Sequence, residues 1–85
     1  MQNELDSRFI LGVFEKIRQH GEAQDNGYFL DGVKAYTDMD GYTVFLEDAK
    51  VSLRFGFHNQ YHYDYQHADH LEQFEKKLHA IDKQY

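Results

Sequence analysis

The chain has 85 residues, a formal net charge of −6 with neutral histidine, and neither cysteine nor proline. This length predicts a single domain over residues 1–85, with a small core that depends on a few large aromatic rings. The missing cysteines exclude disulfides, thiolate nucleophiles and cysteine-ligated zinc. The acidic balance disfavours nucleic acid as a partner, because that binding depends on Lys and Arg contacts to phosphates.

The first residues, Met-Gln-Asn-Glu-Leu-Asp, are acidic and polar, unlike the basic and then apolar start of a signal peptide. No apolar run approaches the ~18 residues that a transmembrane helix needs. We therefore expect a cytoplasmic protein with no membrane partner.

The first predicted element is a helix over residues 4–20. Asn3 is expected to cap its N-terminus, and Gly21 is expected to end it in the left-handed conformation. The next segment, residues 22–27, is predicted to be a loop. The helix prediction rests on six apolar residues that recur at the spacing of one broad helical face: Leu5, Phe9, Ile10, Val13, Phe14 and Ile17.

Five short strands joined by tight turns are predicted next, as an antiparallel meander. The Asp31-Gly32 dipeptide is a strong turn signal that pairs Leu30 with Val33. The other loops set the remaining registers: residues 38–41 pair Ala35 with Val44, residues 48–49 pair Val44 with Leu53, and residues 58–60 pair Leu53 with Tyr65. These registers keep one face of the sheet apolar through four turns, which favours the meander.

Residues 67–83 are predicted to form a second helix, with Leu71, Phe74, Leu78 and Ile81 on one apolar stripe. The predicted order is therefore α-β-β-β-β-β-α. This order indicates an α+β domain, in which a five-stranded antiparallel meander sheet has its N-terminal and C-terminal helices packed on one face.

Four of the six histidines lie between residues 58 and 70. His58 and His62 are four residues apart, and His67 and His70 are three apart, spacings that align two metal ligands on a helix. In the predicted fold, however, they occupy a turn, a strand, the inner stripe of the second helix and its flank. They are weak metal candidates for that reason, since a metal ion needs several converging ligands. No metal or other cofactor is expected.

Tyrosine alternates with polar residues from Tyr61 to Tyr65. This alternation predicts that the three tyrosines face the core and that His62 and Asp64 face outward. The predicted register places Arg54 opposite Asp64, with His62 one step along the strand.

The outward side of the predicted sheet is more aromatic than a solvated face should be. Its candidate binding residues are Phe29, Lys34, Tyr36, Phe45, Arg54, His62 and Asp64. Aromatic rings interleaved with cations are typical of a binding face, so the leading hypothesis is a small non-enzymatic interaction or regulatory protein, with a protein partner or a homodimer. The alternative is a small-molecule or metal-ion binding domain that uses His62, Asp64 and Arg54. No catalytic motif is present, and we expect no enzyme.

Four segments carry a further signal: Asn-Glu-Leu-Asp-Ser-Arg-Phe at 3–9, Gly-Val-Phe-Glu-Lys-Ile-Arg-Gln-His-Gly at 12–21, Asp-Gly-Tyr-Thr-Val at 40–44 and Gly-Phe-His-Asn-x-Tyr-His at 56–62. They resemble a family of short, uncharacterised gammaproteobacterial proteins known only as a domain of unknown function. The resemblance covers nearly the whole chain. It implies a bacterial cytosolic protein and brings no activity, cofactor or site residues.

Overall fold

Alternating apolar residues along short consecutive segments build an antiparallel sheet in the computed structural model, which describes residues 7–39, 41–56 and 60–85. The elements are α1 (Ser7–His20), β1 (Glu22–Gln24), β2 (Gly27–Leu30), β3 (Val33–Thr37), β4 (Val44–Glu47), β5 (Ser52–Phe55), β6 (Tyr61–Asp64) and α2 (Ala68–Gln84). The six strands lie side by side in chain order. The predicted α+β architecture with an antiparallel sheet and two helices is confirmed.

The core lies between the two helices and one face of the sheet. Each helix contributes three fully buried side chains, and the sheet and its loops contribute the rest: Ile10, Val13, Ile17, Phe74, Leu78 and Ile81 from the helices, and Val33, Ala35, Leu46, Val51, Leu53 and Phe55 from the sheet side. Both apolar stripes therefore point to the same side of the sheet, as their spacing predicts.

The prediction of five strands was wrong, because part of the predicted loop 22–27 forms a sixth strand. Strand β1 pairs with β2 so that Ala23 lies opposite Tyr28. All three residues of β1 are exposed. An edge strand that buries no side chain carries no apolar alternation, and backbone hydrogen bonds alone hold it. The sequence pattern had no signal for it.

Gly21 connects α1 to β1, and its predicted left-handed backbone is not observed. The positive φ angles among the described residues belong to Asp31, Gly32 and Gly41. A Cβ atom on Gly21 would lie 2.5 Å from the Ile17 carbonyl oxygen and 2.7 Å from that of Phe29. Glycine is thus required by the close approach of β2 rather than by backbone conformation. The predicted cap, Asn3, lies outside the described residues.

Two aspartates displace the loops by one residue along the chain and so change the predicted strand registers. Oδ1 of Asp38 accepts hydrogen bonds from the backbone N–H groups of residues 41–43, and the Asp38 N–H donates to the Thr43 carbonyl at 3.1 Å. The loop closes at that pair, so Ala35 lies opposite Leu46 and not opposite Val44 as predicted.

Asp48 acts in the same way between β4 and β5. Its Oδ1 accepts from the backbone N–H groups of Lys50 and Val51, both at 2.8 Å, and its own N–H donates to the Val51 carbonyl at 2.9 Å. Val44 therefore faces Phe55 instead of the predicted Leu53.

The register of the last hairpin, between β5 and β6, is also displaced by two residues from the predicted one. Gly56 donates its N–H to the Gln60 carbonyl at 2.9 Å, and Leu53 lies opposite Tyr63 rather than Tyr65. His58 and Asn59 of the predicted loop lie outside the described residues. All three registers are displaced by two residues, and an even displacement leaves each side chain on its predicted face.

Candidate interaction surface on the outer sheet face

The sheet face that points away from both helices, here called the outer face, carries two rows of side chains across the strands. The first row is Glu22, Phe29, Lys34, Glu47, Ser52 and Asp64, and the second is Gln24, Gly27, Tyr36, Phe45, Arg54 and His62. All seven binding-face candidates from the sequence lie in these rows. The structure therefore brings them to one surface.

The centre of the outer face is a pair of stacked rings. Tyr36 and Phe45 lie opposite each other in β3 and β4, with ring centroids 4.7 Å apart and planes 5° from parallel. The neighbouring Phe29 ring is 40% exposed. These three rings are called the aromatic shelf. Offset-stacked rings form a rigid apolar platform at small entropic cost, which suits the shelf to contact with another molecule.

Polar contacts hold Tyr36 in place at the shelf. Its hydroxyl donates a hydrogen bond to Oε1 of Glu47 at 3.0 Å. Burial, together with this carboxylate, raises the pKa of the Tyr36 hydroxyl above its usual value. The Lys34 ammonium nitrogen lies 5.5 Å from the centre of the Tyr36 ring, a cation–π distance. A Cβ on Gly27 would clash first with the Ala35 carbonyl oxygen and would also lie 2.7 Å from the Cβ of Tyr36, so the close approach of β3 requires glycine here.

Beside the shelf lies a polar corner formed by Ser52, Arg54, His62 and Asp64. The predicted pairing of Arg54 with Asp64 was wrong: Arg54 lies opposite His62, and Asp64 lies opposite Ser52. The displaced register of the last hairpin is the cause. These four residues, together with Phe45 and Tyr63, line a cavity of about 120 Å³.

The polar corner offers hydrogen-bond donors to a ligand. Arg54, His62 and Asp64 are exposed, and within the described part of the chain no hydrogen bond or ion pair joins them to one another. A guanidinium next to a hydroxyl and an imidazole suits a carboxylate or phosphate oxygen.

The histidines do not form one cluster. His62 lies on β6, whereas the rings of His67 and His70 lie 5.0 Å apart at the start of α2. His67 is the exposed N-cap residue, not part of the inner stripe as predicted, because the helix begins one residue later at Ala68. His58 lies outside the described residues. Among residues 7–39, 41–56 and 60–85, no three His, Asp or Glu side chains come together to hold a metal ion.

The tyrosines of this segment divide between core and surface. The Tyr63 hydroxyl donates to Oε2 of Glu75 at 2.9 Å, and its ring packs edge-to-face on Phe74 with centroids 6.2 Å apart. Burial and the Glu75 carboxylate raise the pKa of Tyr63 well above its usual value. Tyr61 also packs against the core. Tyr65, predicted to face the core, is 42% exposed because β6 ends at Asp64 and the chain turns towards α2.

Sequence reasoning missed Glu47, an outer-face residue that contacts the aromatic shelf. It lies opposite Lys34 and Ser52 and accepts the Tyr36 hydroxyl hydrogen bond. The signal was available, since Glu47 is two residues after Phe45 on the same strand and must share its face.

Fold and surface together define a small α+β domain, with one sheet face covered by two helices and the other presenting an aromatic shelf. No helix in the described ranges is long and apolar enough to cross a membrane. The chain belongs to the family described as "Protein of unknown function (DUF3081)", whose model matches residues 5–85. This match confirms the resemblance to a domain of unknown function. Comparison with curated proteins found no match, and comparison with solved structures found none either.

Proposed function

We propose that the protein is a non-enzymatic interaction domain that binds another protein chain through its outer face. The observation that carries this proposal is the aromatic shelf on the side of the sheet opposite the helices. The stacked Tyr36 and Phe45 rings, with Phe29 beside them, present apolar area where a merely solvated face would be polar. Aromatic side chains of this kind are enriched in the centres of protein interfaces.

The charges around the shelf indicate the chemistry of the partner. Lys34 and Arg54 flank the stacked rings, one on the first row and one on the second. The Lys34 ammonium lies over the Tyr36 ring, and no ion pair joins Arg54 to a described carboxylate. The partner segment therefore carries a large apolar side chain for the shelf and an Asp or Glu for Arg54.

Selection of peptides tests this proposal directly. A random-peptide library displayed on phage is selected on the wild-type protein and counter-selected on the Phe45→Ser variant. The enriched peptides combine an aromatic or large aliphatic residue with a nearby carboxylate. In an NMR titration of the labelled protein, the enriched peptide shifts the amides of β3, β4 and β5.

The matched control is Leu11→Ser, which removes an exposed apolar side chain from α1, a surface that plays no part in the proposal. Peptides that bind wild type and Phe45→Ser equally well would contradict the proposal. So would chemical shift changes confined to the helices.

A small-molecule ligand at the polar corner is the second candidate, and the cavity between Arg54, His62 and Asp64 favours it. Titration with inorganic phosphate, followed by NMR, shifts the Arg54 and His62 side-chain signals if this candidate is correct. Unchanged signals at excess phosphate would contradict it. A titration with zinc in place of phosphate tests whether the ligand is a metal ion. Among the described residues, no three His, Asp or Glu side chains come together to hold one.

We also propose that the protein is bacterial and cytoplasmic. The chain has no cysteine, which fits a reducing compartment where disulfides do not stabilise proteins. Fractionation of cells of the source organism, with an antibody to the protein, tests the location.

A further inference from the structure

The two edges of the sheet differ in length. β1 is a three-residue strand, and β6 has four residues. No described strand pairs with the outer edge of either one. Neither strand contains proline or lysine, which natural proteins use to block edge pairing. β6 therefore offers the longer row of backbone groups for strand addition.

The ladder between β5 and β6 determines which backbone groups of β6 point outward. The Gly56 N–H donates to the Gln60 carbonyl, so this is a hydrogen-bonded pair. Antiparallel ladders alternate, and hence Arg54–His62 and Ser52–Asp64 are hydrogen-bonded pairs too. The N–H and C=O groups of Tyr63, between His62 and Asp64, consequently point away from β5.

The sequence around Tyr63 is self-complementary in one antiparallel register. If two β6 strands pair about a two-fold axis at Tyr63, His62 of each copy lies beside Asp64 of the other. An axis at His62 would instead set two histidines against each other, and an axis at Asp64 would oppose two carboxylates. An imidazole N–H can donate a hydrogen bond to a carboxylate that faces it, whereas two carboxylates directly opposite one another destabilise a strand pair.

We propose that β6 pairs with β6 of a second copy of this chain, antiparallel about a two-fold axis at Tyr63. The two Tyr63 backbones exchange their hydrogen bonds, and two His62–Asp64 pairs flank them. The pairing joins two six-stranded sheets into one continuous sheet and places the two outer faces side by side. This inference does not rest on the proposed partner of the aromatic shelf.

Charge exchange tests the pairing. Sedimentation equilibrium gives twice the 10.2 kDa protomer mass for wild type as concentration rises. His62→Asp places two carboxylates opposite one another, and Asp64→Lys removes the carboxylate that accepts from His62, so each raises the dimer dissociation constant about tenfold or more. The double variant His62→Asp with Asp64→Lys places an Asp opposite a Lys in each pair and recovers dimerisation. Both positions are exposed, so the variants fold. Asp25→Lys, in the turn at the opposite edge, is the matched control and leaves the dimer intact.

Cysteine cross-linking tests the register, since the chain has no native cysteine. The His62–Asp64 contacts are non-hydrogen-bonded antiparallel pairs, whose Cα atoms lie about 4.5 Å apart, close enough for a disulfide. A mixture of His62→Cys chains and Asp64→Cys chains therefore oxidises to a covalent heterodimer. Two copies of the His62→Cys chain alone do not, because their Cα atoms lie beyond the ~7 Å limit for a disulfide.

The proposal is overturned by a wild-type protein that stays monomeric, or by cross-links within either single variant but not in the mixture. A dimer lost in Phe45→Ser but kept in the β6 variants would also overturn it, and would assign the second copy to the aromatic shelf. Loss of peptide binding to the shelf, with the β6 dimer intact, would contradict the proposed function alone.

Discussion

The carboxylate of Asp48 accepts a hydrogen bond from the Lys77 ammonium at 2.9 Å, and this ion pair joins the β4–β5 loop to helix α2. The Asp48 side chain is 6% exposed. Its second oxygen accepts the two backbone N–H bonds that fix the position of the loop. One buried carboxylate thus determines the register of the strands that carry Phe45 and Arg54, and also the position of a helix on the other side of the sheet.

Asp48→Ala is expected to destabilise the protein by about 2–3 kcal/mol, because it leaves two loop N–H groups and the Lys77 ammonium without their acceptor. Asp48→Asn is the matched control. The Asn side-chain oxygen still accepts the two backbone hydrogen bonds. We therefore expect Asp48→Asn to lower the free energy of unfolding by less than half as much as Asp48→Ala does. Urea denaturation followed by circular dichroism measures both free energies of unfolding. Equal losses for Ala and Asn would contradict the role given to the loop bonds.

Asp48 also makes the free energy of unfolding depend on pH. Burial alone would raise the pKa of Asp48, but Lys77 and the backbone N–H groups of Lys50 and Val51 together lower it below its ordinary value. A lowered folded-state pKa stabilises the fold above the unfolded-state pKa, about 4, and this stabilisation is lost as the pH falls through the folded-state value. The free-energy difference between wild type and Asp48→Asn should therefore shrink below about pH 4. A difference that stays constant from neutral pH to strong acid would contradict this account.

Tyr63 produces the opposite dependence at high pH. Its pKa is raised by burial and by Glu75, so its stabilisation is fully present below the unfolded-state value of about 10 and is lost as the pH rises above it. Tyr63→Phe should cost about 1 kcal/mol at neutral pH, the net value of one hydrogen bond. This cost should diminish in strongly alkaline solution. In an absorbance titration of folded protein, Tyr63→Phe should leave the phenolate absorbance at pH 10 unchanged from wild type, because the raised pKa keeps Tyr63 protonated there. A lower absorbance in the variant at that pH would contradict the raised pKa.

Two glycines in the N-terminal part of the chain should respond in opposite directions to alanine. At Gly21 the new Cβ would meet the carbonyl oxygens of Ile17 and Phe29, and we expect a loss of about 1–3 kcal/mol from the forced backbone shift. At Gly12, inside α1, no described atom apart from its chain neighbours and the helix's own backbone lies within 4 Å of the added Cβ. Alanine there should stabilise the helix by about 0.5–1 kcal/mol. Thermal unfolding of both variants tests the pair, and a stabilised Gly21→Ala protein would show that the approach of β2 is not what requires glycine.

The sequence predicted those parts of the fold in which side-chain burial follows a period. The Phe74, Leu78 and Ile81 stripe located α2 to within a residue, and the Asp31-Gly32 turn located the β2–β3 hairpin with its correct register. The next two registers were displaced because the side-chain oxygens of Asp38 and Asp48 close loops that lie one residue further along the chain, which residue preferences for short turns do not show.

The sequence predicted which residues lie on the outer face, but not which of them lie opposite each other on neighbouring strands. Alternation assigned Phe29, Tyr36, Phe45 and Arg54 to one side, and displacements of two residues preserve that assignment. Which residues touch across strands depends on the register itself. Arg54 therefore meets His62 instead of Asp64, and the stacking of Tyr36 on Phe45 emerges only when the loop at Asp38 closes on Thr43.

The affinity of a selected peptide for matched variants decides whether the aromatic shelf binds a protein segment. Isothermal titration calorimetry with one enriched peptide should give a dissociation constant at least about tenfold higher for Phe45→Ser than for wild type, a loss of 1.4 kcal/mol or more. Leu11→Ser should bind as wild type does. Equal affinities for wild type and Phe45→Ser, or an equal loss in Leu11→Ser, would contradict the claim.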